Sequence, residues 1–470
     1  MKTMKLNDFQ QLNSQIFTVW SDEIRERFDP YYFRVEFRKN MEQIDKSKFK
    51  VVRFGELMKD LKNGVEIRTY SDSGYRYLRV TDIDDFGLNS NDPRHVKVDQ
   101  IPEKIKLSED DFLISRSGSL GLVSIVTDKM LDYILSSHIF KISLDTEKIL
   151  PEYLAIFFRG SLGQLQFFQK NNGGIVPEIN QGALKSIKIP LPPLATQNKI
   201  VTIMQKAYAE KKQKEEKAQK LLASIDGYVL GELGIKAPEI KREMVFEVGS
   251  DRVGNSRMDP LFYSQRNIYG FLRGTKFKIK FVEDLVEYLQ TGFAAGSKNQ
   301  EADGVIQIRP TNIDNNGYLK FDKNIYVKGE YVNTRQKDIL QKEEILFNNT
   351  NSQELVGKTS YFNLDGYYFC SNHITRIKVK EGLNPIYLKL IFNIYQKIGI
   401  FYNICTNWNN QSGVNIKLLK TIKIPIPSLV TQNKIVGKVK SHYSYAQTLQ
   451  KKAREVLNKA KELVEGMILR

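Results

Sequence analysis

The stretch LKSIKIPLPPLATQNKIV at residues 184–201 occurs a second time, as LKTIKIPIPSLVTQNKIV at residues 419–436. Fourteen of the eighteen aligned positions are identical, at an offset of 235 residues. A repeat at so long a period indicates two copies of a whole domain rather than a solenoid of short repeats. This stretch therefore decides the architecture before any helix or strand is assigned.

Weaker matches outside this stretch keep the same order along the chain. They pair Arg27–Pro30 with Arg257–Pro260, Thr81–Ile83 with Thr311–Ile313, Ser136 and His138 with Ser371 and His373, and Tyr153–Leu154 with Tyr387–Leu388. The offset drifts between 230 and 235, as expected when surface loops differ in length. A chain of 470 residues is also too long for one core and fits two domains with connecting elements.

A helical pattern follows each copy of the repeated stretch. Thr196 and Thr431 are predicted to cap these helices, because the prolines just upstream prevent earlier helical turns. Apolar residues then recur at the 3,4 spacing of a coiled-coil seam, interrupted in the first helix by Lys211 and Glu215. Each helix is predicted to run for roughly 35 residues, or about 50 Å. The seam, or a partner-binding face, is predicted to include Met204, Leu222, Ile225, Leu449, Val456 and Leu463.

The remaining segments, roughly 48–190 and 279–425, alternate short apolar strands with turns, and helical stretches are predicted at 151–169 and 385–402. Each globular part is therefore predicted to be mixed α/β. We predict two duplicated globular domains, residues 1–195 and 236–430, separated by two long antiparallel coiled-coil helices, residues 196–235 and 431–470. The predicted arrangement is pseudo-two-fold.

Charge points to the class of partner. The formal net charge is +17, from 71 Lys and Arg against 54 Asp and Glu, and such a surplus attracts polyanions. Nucleic acid is therefore the first partner to test, and the other reading is a basic protein from an AT-rich genome. The spacing of Cys370 and Cys405 fits no metal site, so a reducing cytoplasm is predicted. Neither a signal peptide nor a membrane-spanning run is predicted.

Motifs that resemble catalytic sites are incomplete. Gly357–Thr359 resembles the end of a phosphate-binding loop, but Ser352 stands where that loop needs glycine, which favours a turn entering a strand. Asp29–Tyr32 resembles the Asp-Pro-Pro-Tyr loop of amino-methyltransferases without its second proline, which favours a chain reversal. His138 and His373 are predicted to stabilise strands through hydrogen bonds. Neither a catalytic site nor a metal site is predicted.

Base reading in DNA needs side chains with fixed donor and acceptor patterns on loops or helix ends. Both halves carry such side chains at matching positions. In the first half the candidates are Arg79, Thr81, Arg116, Ser117, Ser119, Asn171, Asn172 and Asn180. In the second half they are Arg309, Thr311, Asn348, Asn349, Asn407, Trp408, Asn409, Asn410 and Gln411. The other reading is that Asn and Gly residues simply form turns here.

Over essentially its full length the chain resembles the specificity subunit of type I restriction-modification systems. The resemblance is carried by the Arg-x-Asp-Pro motifs at Arg27 and Arg257, the Ile-Pro-x-Pro-x-x-x-x-Gln-x-x-Ile motifs at 189–200 and 424–435, and the helices that follow. It implies one target recognition domain in each half, each reading part of a split sequence in double-stranded DNA, and helices that set the spacing.

The same resemblance implies partners. Two methyltransferase subunits, which carry S-adenosylmethionine, would dock on the chain, followed by motor-nuclease subunits that use ATP and Mg²⁺ and cleave DNA. No cofactor is expected on the chain itself. Since the two halves share little sequence outside the repeated framework, the target is expected to be asymmetric, with half-sites about 10 base pairs apart.

Three other functions stay open from sequence. A target-recognition subunit of a type II system would have nearly the same architecture, and the neighbouring open reading frames would discriminate. A non-specific DNA-binding scaffold would bind all duplexes equally at fixed salt. A self-sufficient methyltransferase or nuclease would need turnover from the pure protein.

Overall fold

The structure is a computed structural model, and it describes residues 29–84, 87–88, 92–172, 174–237, 247, 249, 269–408 and 411–470. The predicted Arg-x-Asp-Pro arginines, Arg27 and Arg257, lie outside the described residues. The α-helices are α1 Val35–Asp45, α2 Pro151–Arg159, α3 Ser161–Gln169, α4 Gln181–Lys185, α5 Leu194–Glu232, α6 Val282–Leu285, α7 Tyr331–Thr334, α8 Pro385–Lys397, α9 Ile400–Ile404, α10 Ile416–Lys420 and α11 Leu429–Leu469.

The chain forms two compact units. Unit 1 contains Met1–Glu216 and Leu449–Arg470, and unit 2 contains Lys217–Thr448. The boundary falls inside both long helices, so each unit contains part of α5 and part of α11. The prediction of two duplicated mixed α/β domains with two long helices is confirmed.

Unit 1 contains eleven described strands: β1 Val51–Arg53, β2 Met58–Asn63, β3 Tyr75–Leu78, β4 Ile83–Asp84, β5 Gly87–Leu88, β6 Arg94–Val96, β7 Phe112–Ser115, β8 Val123–Ile125, β9 Ile134–Leu135, β10 Ile139–Leu144 and β11 Lys188–Pro190. An antiparallel sheet has the order β2-β10-β7-β8, and a second sheet has the order β6-β3-β9. The pair β1-β11 carries the chain from the repeated stretch into α5.

Unit 2 repeats this topology with twelve described strands: β12 Lys278–Phe281, β13 Val286–Thr291, β14 Gln300–Ile308, β15 Ile325–Val327, β16 Ile345–Asn348, β17 Thr350–Asn351, β18 Thr359–Tyr361, β19 Phe369–Cys370, β20 Ile374–Val379, β21 Thr406–Trp408, β22 Gln411–Gly413 and β23 Lys423–Ile426. The orders β13-β20-β16-β18, β15-β14-β19 and β12-β23 match those of unit 1. A third sheet, β17-β22-β21, is found here.

The repeated stretch is conserved between the units because it makes the same structural bonds in both. The side chain of Gln197 is fully buried and accepts a hydrogen bond from the Leu150 backbone N–H at 2.8 Å. Its amide group donates to the carbonyls of Lys148 and Pro192. Gln432 makes the equivalent three bonds in unit 2. This glutamine therefore fixes the start of each long helix to the loop before α2 or α8.

A buried tyrosine adds a second shared bond. The hydroxyl of Tyr153 in α2 donates to the carbonyl of Pro190 at 2.6 Å, and that of Tyr387 in α8 donates to the carbonyl of Pro425 at 2.7 Å. Both rings are fully buried. The matches seen in sequence at Tyr153 and Tyr387 thus reflect one packing arrangement used twice.

A buried ion pair also recurs. In unit 2 the Arg376 guanidinium on β20 donates to the Glu344 carboxylate from Nη2 at 2.6 Å, with both side chains at most 3% exposed. In unit 1 Lys141 on β10 lies 3.3 Å from the Asp111 carboxylate. Removing one partner of such a pair leaves an uncompensated buried charge.

The helix starts differ from the prediction. The long helices begin at Leu194 and Leu429, so neither Thr196 nor Thr431 is a cap. The Ser428 hydroxyl accepts from the Thr431 backbone N–H at 3.3 Å and supplies the cap of α11. The prolines upstream do not delay the helices, because the last of them, Pro193 and Pro427, precede the first helical residues.

The helical stretches predicted at 151–169 and 385–402 are each divided into two helices. The first divides at Gly160, which has extended backbone angles, and the second at Gly399, which has a left-handed φ of 78°. Extended and left-handed residues both end an α-helix.

Most of the residues predicted for the seam or a partner-binding face are buried or half-buried. Met204, Ile225 and Leu449 are buried, and Leu222 and Val456 are half-buried against the unit cores. Leu463 is 55% exposed and so does not belong to a buried seam, whereas the alternative, a partner-binding face, stays a prediction. From residue 446 onward, the buried residues of α11 are Ala446, Leu449, Ala453, Leu457, Ala460, Val464 and Ile468. Their steps include two consecutive fours, because the stripe follows the 3.6-residue period of a straight helix rather than the 3.5-residue heptad.

Helix direction is defined within unit 2. The Lys434 amine lies 3.5 Å from the Glu232 carboxylate, and the Lys217 amine lies over the ring of Tyr445. A higher residue number in α5 thus faces a lower one in α11, so the helices are antiparallel in this unit. In the first helix Lys211 is half-buried and pairs with Glu215, which is exposed and does not belong to the seam.

Candidate DNA interface

An open cleft of about 560 Å³ in unit 2 collects several of the predicted reading residues. It is lined by Arg309, Pro310, Thr311, Lys323, Asn324, Ile325, Thr350, Asn351, Ser352, His373 and Gln411. Arg309, Thr311 and Gln411 were predicted from sequence, and the fold brings Gln411 to the other two although it lies about 100 residues further along the chain. Most of the lining is neutral and polar, which suits hydrogen bonding to base edges.

Arg309 is half-buried in the wall of this cleft. Its Nη2 donates to the Ala295 carbonyl at 3.4 Å and to Oε1 of Gln307 at 3.3 Å, and both bonds are long. Its Nε atom is buried without a hydrogen-bond partner among the described residues. Burial lowers the pKa of Arg309. The guanidinium of Arg309 in the cleft wall can therefore still donate hydrogen bonds to a ligand.

A hairpin of β21 and β22 borders the cleft and pairs with β17. Trp408 on this hairpin is 47% exposed, and Gln411 opposite it lines the cleft. The Trp408 ring lies over Gly413, where a Cβ atom would fall 2.4 Å from Cη2 of the ring. An exposed aromatic ring can stack on a base. Asn409 and Asn410, predicted at this turn, lie outside the described residues.

Asn348 and Asn349 are in the wrong place to read bases. Asn348 is fully buried and donates to the Leu355 carbonyl at 3.0 Å. Asn349 is 7% exposed and donates to the Thr375 hydroxyl at 2.9 Å. Both amides are used to brace the loop after β16, so their prediction as DNA contacts is wrong. Asn407 is exposed, but its Oδ1 accepts from Ser412 at 2.6 Å.

In unit 1 the arginine at the position of Arg309 is already paired. Arg79 donates from Nε to Oδ2 of Asp82 at 3.1 Å and from Nη2 to Oδ1 at 2.9 Å. Its Nη2 also donates to the Asp92 carbonyl at 2.7 Å. The hydrogen bond to Asp82 raises the pKa of Arg79. Asn312 stands at the position of Asp82 in unit 2 and accepts only the backbone N–H of Arg309. The structure thus gives Arg79 a local role as the partner of Asp82.

The second arginine of unit 1 is paired in the same way. The Arg116 guanidinium donates to the Glu178 carboxylate and lies over the Phe140 ring at 5.6 Å. The backbone N–H of Arg116 donates to the backbone carbonyl of His138, just as that of Asn349 donates to the backbone carbonyl of His373. Arg116 therefore corresponds to Asn349 in the structure.

The other predicted residues of unit 1 lie on two neighbouring loops. Ser117 is half-buried and forms a β-bridge with Glu178, and Ser119 is exposed. Asn171 accepts from the Glu178 backbone N–H at 2.9 Å, and Asn172 is exposed beside it. Asn180 is exposed, but its Oδ1 caps α4 by accepting from Ala183 at 2.8 Å. Asn171 and Asn180 thus have turn and cap roles, which was the other reading of these asparagines.

Some candidate contact groups were missed by sequence reasoning. Ile175 is fully exposed and Val176 is 57% exposed, both on the loop that follows Asn172. In unit 2 the cleft adds Lys323 and His373. The prediction of hydrogen-bonded histidines is wrong, because within the described residues neither imidazole makes a hydrogen bond, and that of His138 is exposed.

Thr81 and Thr311 are exposed at equivalent turns, each two residues beyond its arginine. These hydroxyls can donate and accept, and only Thr311 lies in a described cleft. The turn at Gly357 has a φ of 94° and leads into β18, as predicted.

Two other kinds of site, for metal ions and for membrane insertion, are not found within the described ranges. No group of three or more His, Cys, Asp and Glu side chains there could hold a metal ion. No helix in the same part of the chain is both long and apolar enough to cross a membrane.

The chain matches a family model twice. Residues 46–222 and 275–459 match the model described as type I restriction modification DNA specificity domain. The chain is 24% identical over 405 residues to the type I restriction enzyme EcoKI specificity subunit of Escherichia coli, which covers 83% of this chain and 80% of that protein. It is 28% identical over 192 residues to the putative type I restriction enzyme MjaX specificity subunit of Methanocaldococcus jannaschii, covering 40% and 44%.

A similarity of fold agrees with these matches. A chain solved in work on complex assembly and conformational transition of the type I R-M system aligns with a TM-score of 0.57 and 15% identity. The alignment covers 89% of this chain and 96% of the solved one. At this identity the comparison concerns the fold alone.

Proposed function

Since the chain belongs to the family of type I restriction-modification DNA specificity domains, we propose that it is a specificity subunit that reads a bipartite, asymmetric sequence in double-stranded DNA. One domain of the family lies in each half of the chain. Each domain would read one half of the target, and the subunit would direct partner subunits to it.

One observation carries the asymmetry of the target. The two units share a framework of strands, buried tyrosine and buried glutamine, but they differ in the groups that could contact DNA. Arg79 is bound to a carboxylate in unit 1, whereas Arg309 lines an open cleft in unit 2. Different donors and acceptors select different base edges, so the two half-sequences would differ.

We further propose that the chain has no catalytic role of its own. Two methyltransferase subunits with S-adenosylmethionine would act on the DNA that it selects, and motor-nuclease subunits with ATP and Mg²⁺ would cleave. The exposed Leu463 on α11 is one apolar side chain that such a partner could cover.

Genome-wide methylation mapping tests the proposal. The chain is co-expressed with its neighbouring methyltransferase gene, and methylated bases are mapped across a sequenced genome. We expect methylation at one split, asymmetric motif. Methylation that is absent or independent of sequence would overturn the proposal and favour a non-specific DNA scaffold.

A further inference from the structure

Arg309 differs from Arg79 and Arg116, the two arginines of unit 1 predicted to contact DNA, in having no acidic partner among the described residues. No carboxylate of the described residues lies within ion-pairing distance of its guanidinium, whereas Arg79 pairs with Asp82 and Arg116 with Glu178. The two positions that neutralise charge in unit 1 are changed in unit 2, to Asn312 and Gly413. A half-buried guanidinium without a carboxylate loses hydration energy that a hydrogen-bond acceptor from a ligand would restore.

Gln307 holds this guanidinium in place. The Gln307 side chain is fully buried, and its Nε2 donates to the Phe293 carbonyl at 2.8 Å. That bond leaves Oε1 to accept from Nη2 of Arg309. At the equivalent position of unit 1, the hydroxyl of Tyr77 donates a hydrogen bond to the Val65 carbonyl. Where unit 1 has the ring of Tyr77, unit 2 therefore has the amide of Gln307, which orients Arg309.

We propose that Arg309 donates to O6 and N7 of a guanine in the half-sequence read by unit 2, with Gln307 as its positioning residue. The inference rests on the proposed function and extends it to one base. The planar fork of a guanidinium matches the two acceptors of guanine in the major groove. The cleft around Arg309 favours a base over a phosphate, because Thr311, Asn351 and Gln411 offer it neutral donors and acceptors.

The test uses the full chain co-purified with its methyltransferase partner and a duplex carrying the mapped motif. Each guanine is replaced in turn by 7-deazaguanine, which lacks the N7 acceptor. At one guanine we expect the affinity of the unaltered protein to fall about 10-fold, because one acceptor of a bidentate contact is lost. For Arg309→Gln the same replacement should have no effect, and methylation mapping should show relaxed specificity at that base pair only.

Gln307→Leu separates positioning from folding. A structural defect would lower affinity for the guanine and 7-deazaguanine duplexes equally and leave their ratio unchanged. Loss of positioning should instead bring that ratio close to one. Lys342→Gln, which removes an exposed charge of unit 2 outside this cleft, is the matched control and should leave the motif unchanged.

Several outcomes would overturn the inference. One is a motif whose halves contain no guanine sensitive to 7-deaza replacement. Another is an Arg309→Gln variant that binds all duplexes uniformly less tightly, with a salt slope reduced by about one, which would make Arg309 a phosphate contact. Arg309→Lys keeps the charge and shows whether a loss reflects folding. Absence of any split motif in the unaltered protein would instead count against the proposed function.

Discussion

Nη2 of Arg79 lies 2.9 Å from Oδ1 of Asp82, and this ion pair fixes a turn of unit 1 rather than presenting a charge to a ligand. Asp82 is only 3% exposed. Arg79→Met would leave its carboxylate buried without a cation, so we expect a loss of about 2–3 kcal/mol in the free energy of unfolding, measured in urea. The methylated motif should stay the same.

The matched control for Arg79 is Arg68→Met, since Arg68 is 86% exposed and makes only a surface ion pair. Its effect on stability should be negligible. A relaxed base preference in Arg79→Met, without a loss of stability, would show that Arg79 leaves Asp82 to contact DNA.

The buried pair of Arg376 and Glu344 should dominate the electrostatic part of the stability of unit 2. Glu344 also accepts from the Gln341 backbone N–H at 3.1 Å and from the Tyr288 hydroxyl. Glu344→Gln leaves the guanidinium uncompensated, and we expect a loss of about 3–5 kcal/mol in the free energy of unfolding. Glu343→Gln is the neighbouring control, because Glu343 is 63% exposed. Equal effects of the two substitutions would contradict this role for the buried pair.

Gln197→Leu should destabilise unit 1. The change removes three hydrogen bonds at a fully buried site and leaves the Leu150 N–H without its acceptor. We expect the free energy of unfolding to fall by at least about 2 kcal/mol. Asn198→Ala, at an exposed neighbour, should change it by less than about 0.5 kcal/mol. If the leucine variant unfolded at the same urea concentration as the unaltered protein, these bonds would not fix the helix start.

Lys389 in α8 predicts a pH dependence of stability. Burial lowers the pKa of Lys389 to about 8, although the Asp314 carboxylate acts in the opposite direction. The unfolded chain keeps this proton up to about pH 10.4, so between the two values it binds more protons than the folded chain. The contribution of Lys389 to stability therefore rises with pH from about 8 to about 10.4.

Lys389→Met should remove this rise and increase the free energy of unfolding at pH 7, by at most about 3 kcal/mol. Urea unfolding at pH 7 and pH 9.5 measures both effects, with the exposed Lys380→Met as the control. Identical pH profiles for the Lys389 variant and the unaltered protein would count against a buried, easily deprotonated amine.

The lengths of α5 and α11 should set the spacing between the two half-sequences of the target. Insertion of seven residues after Glu216 in α5 and after Thr448 in α11, where one unit gives way to the other, adds about 10 Å to each helix. We expect the spacer of the methylated motif to grow by about 3 base pairs while both half-sequences persist. If the lengthened protein methylated a motif with an unaltered spacer, helix length would not set the spacing.

The framework was predictable because it rests on local signals that occur twice. The Tyr153 and Tyr387 match and the Gln197 and Gln432 match each mark a buried hydrogen bond that both units need. Both globular parts contain the mixture of short strands and helices that the alternation of apolar runs and turns predicted.

The contact residues were less predictable, since exposure depends on how loops pack. Asn348 and Asn349 are of a residue type that can read bases, but they are buried at the end of strand β16. A signal for Arg79 was available: an acidic residue three positions later, Asp82, where unit 2 has Asn312. Leu463 falls outside the buried stripe because a strict 3,4 spacing drifts away from the true stripe of a straight helix.

The core of unit 1 includes Leu457, Val464 and Ile468 from α11, and the Ser47 hydroxyl donates to the Ile468 carbonyl across 421 residues of sequence. During synthesis at about 5–20 residues per second, Ser47 would wait roughly 20–80 seconds for this partner. The core of unit 1 stays incomplete until the residues of α11 from Leu449 onward are made, whereas unit 2 has all its residues by Thr448. The order of translation thus makes the first domain to be made the last to be completed.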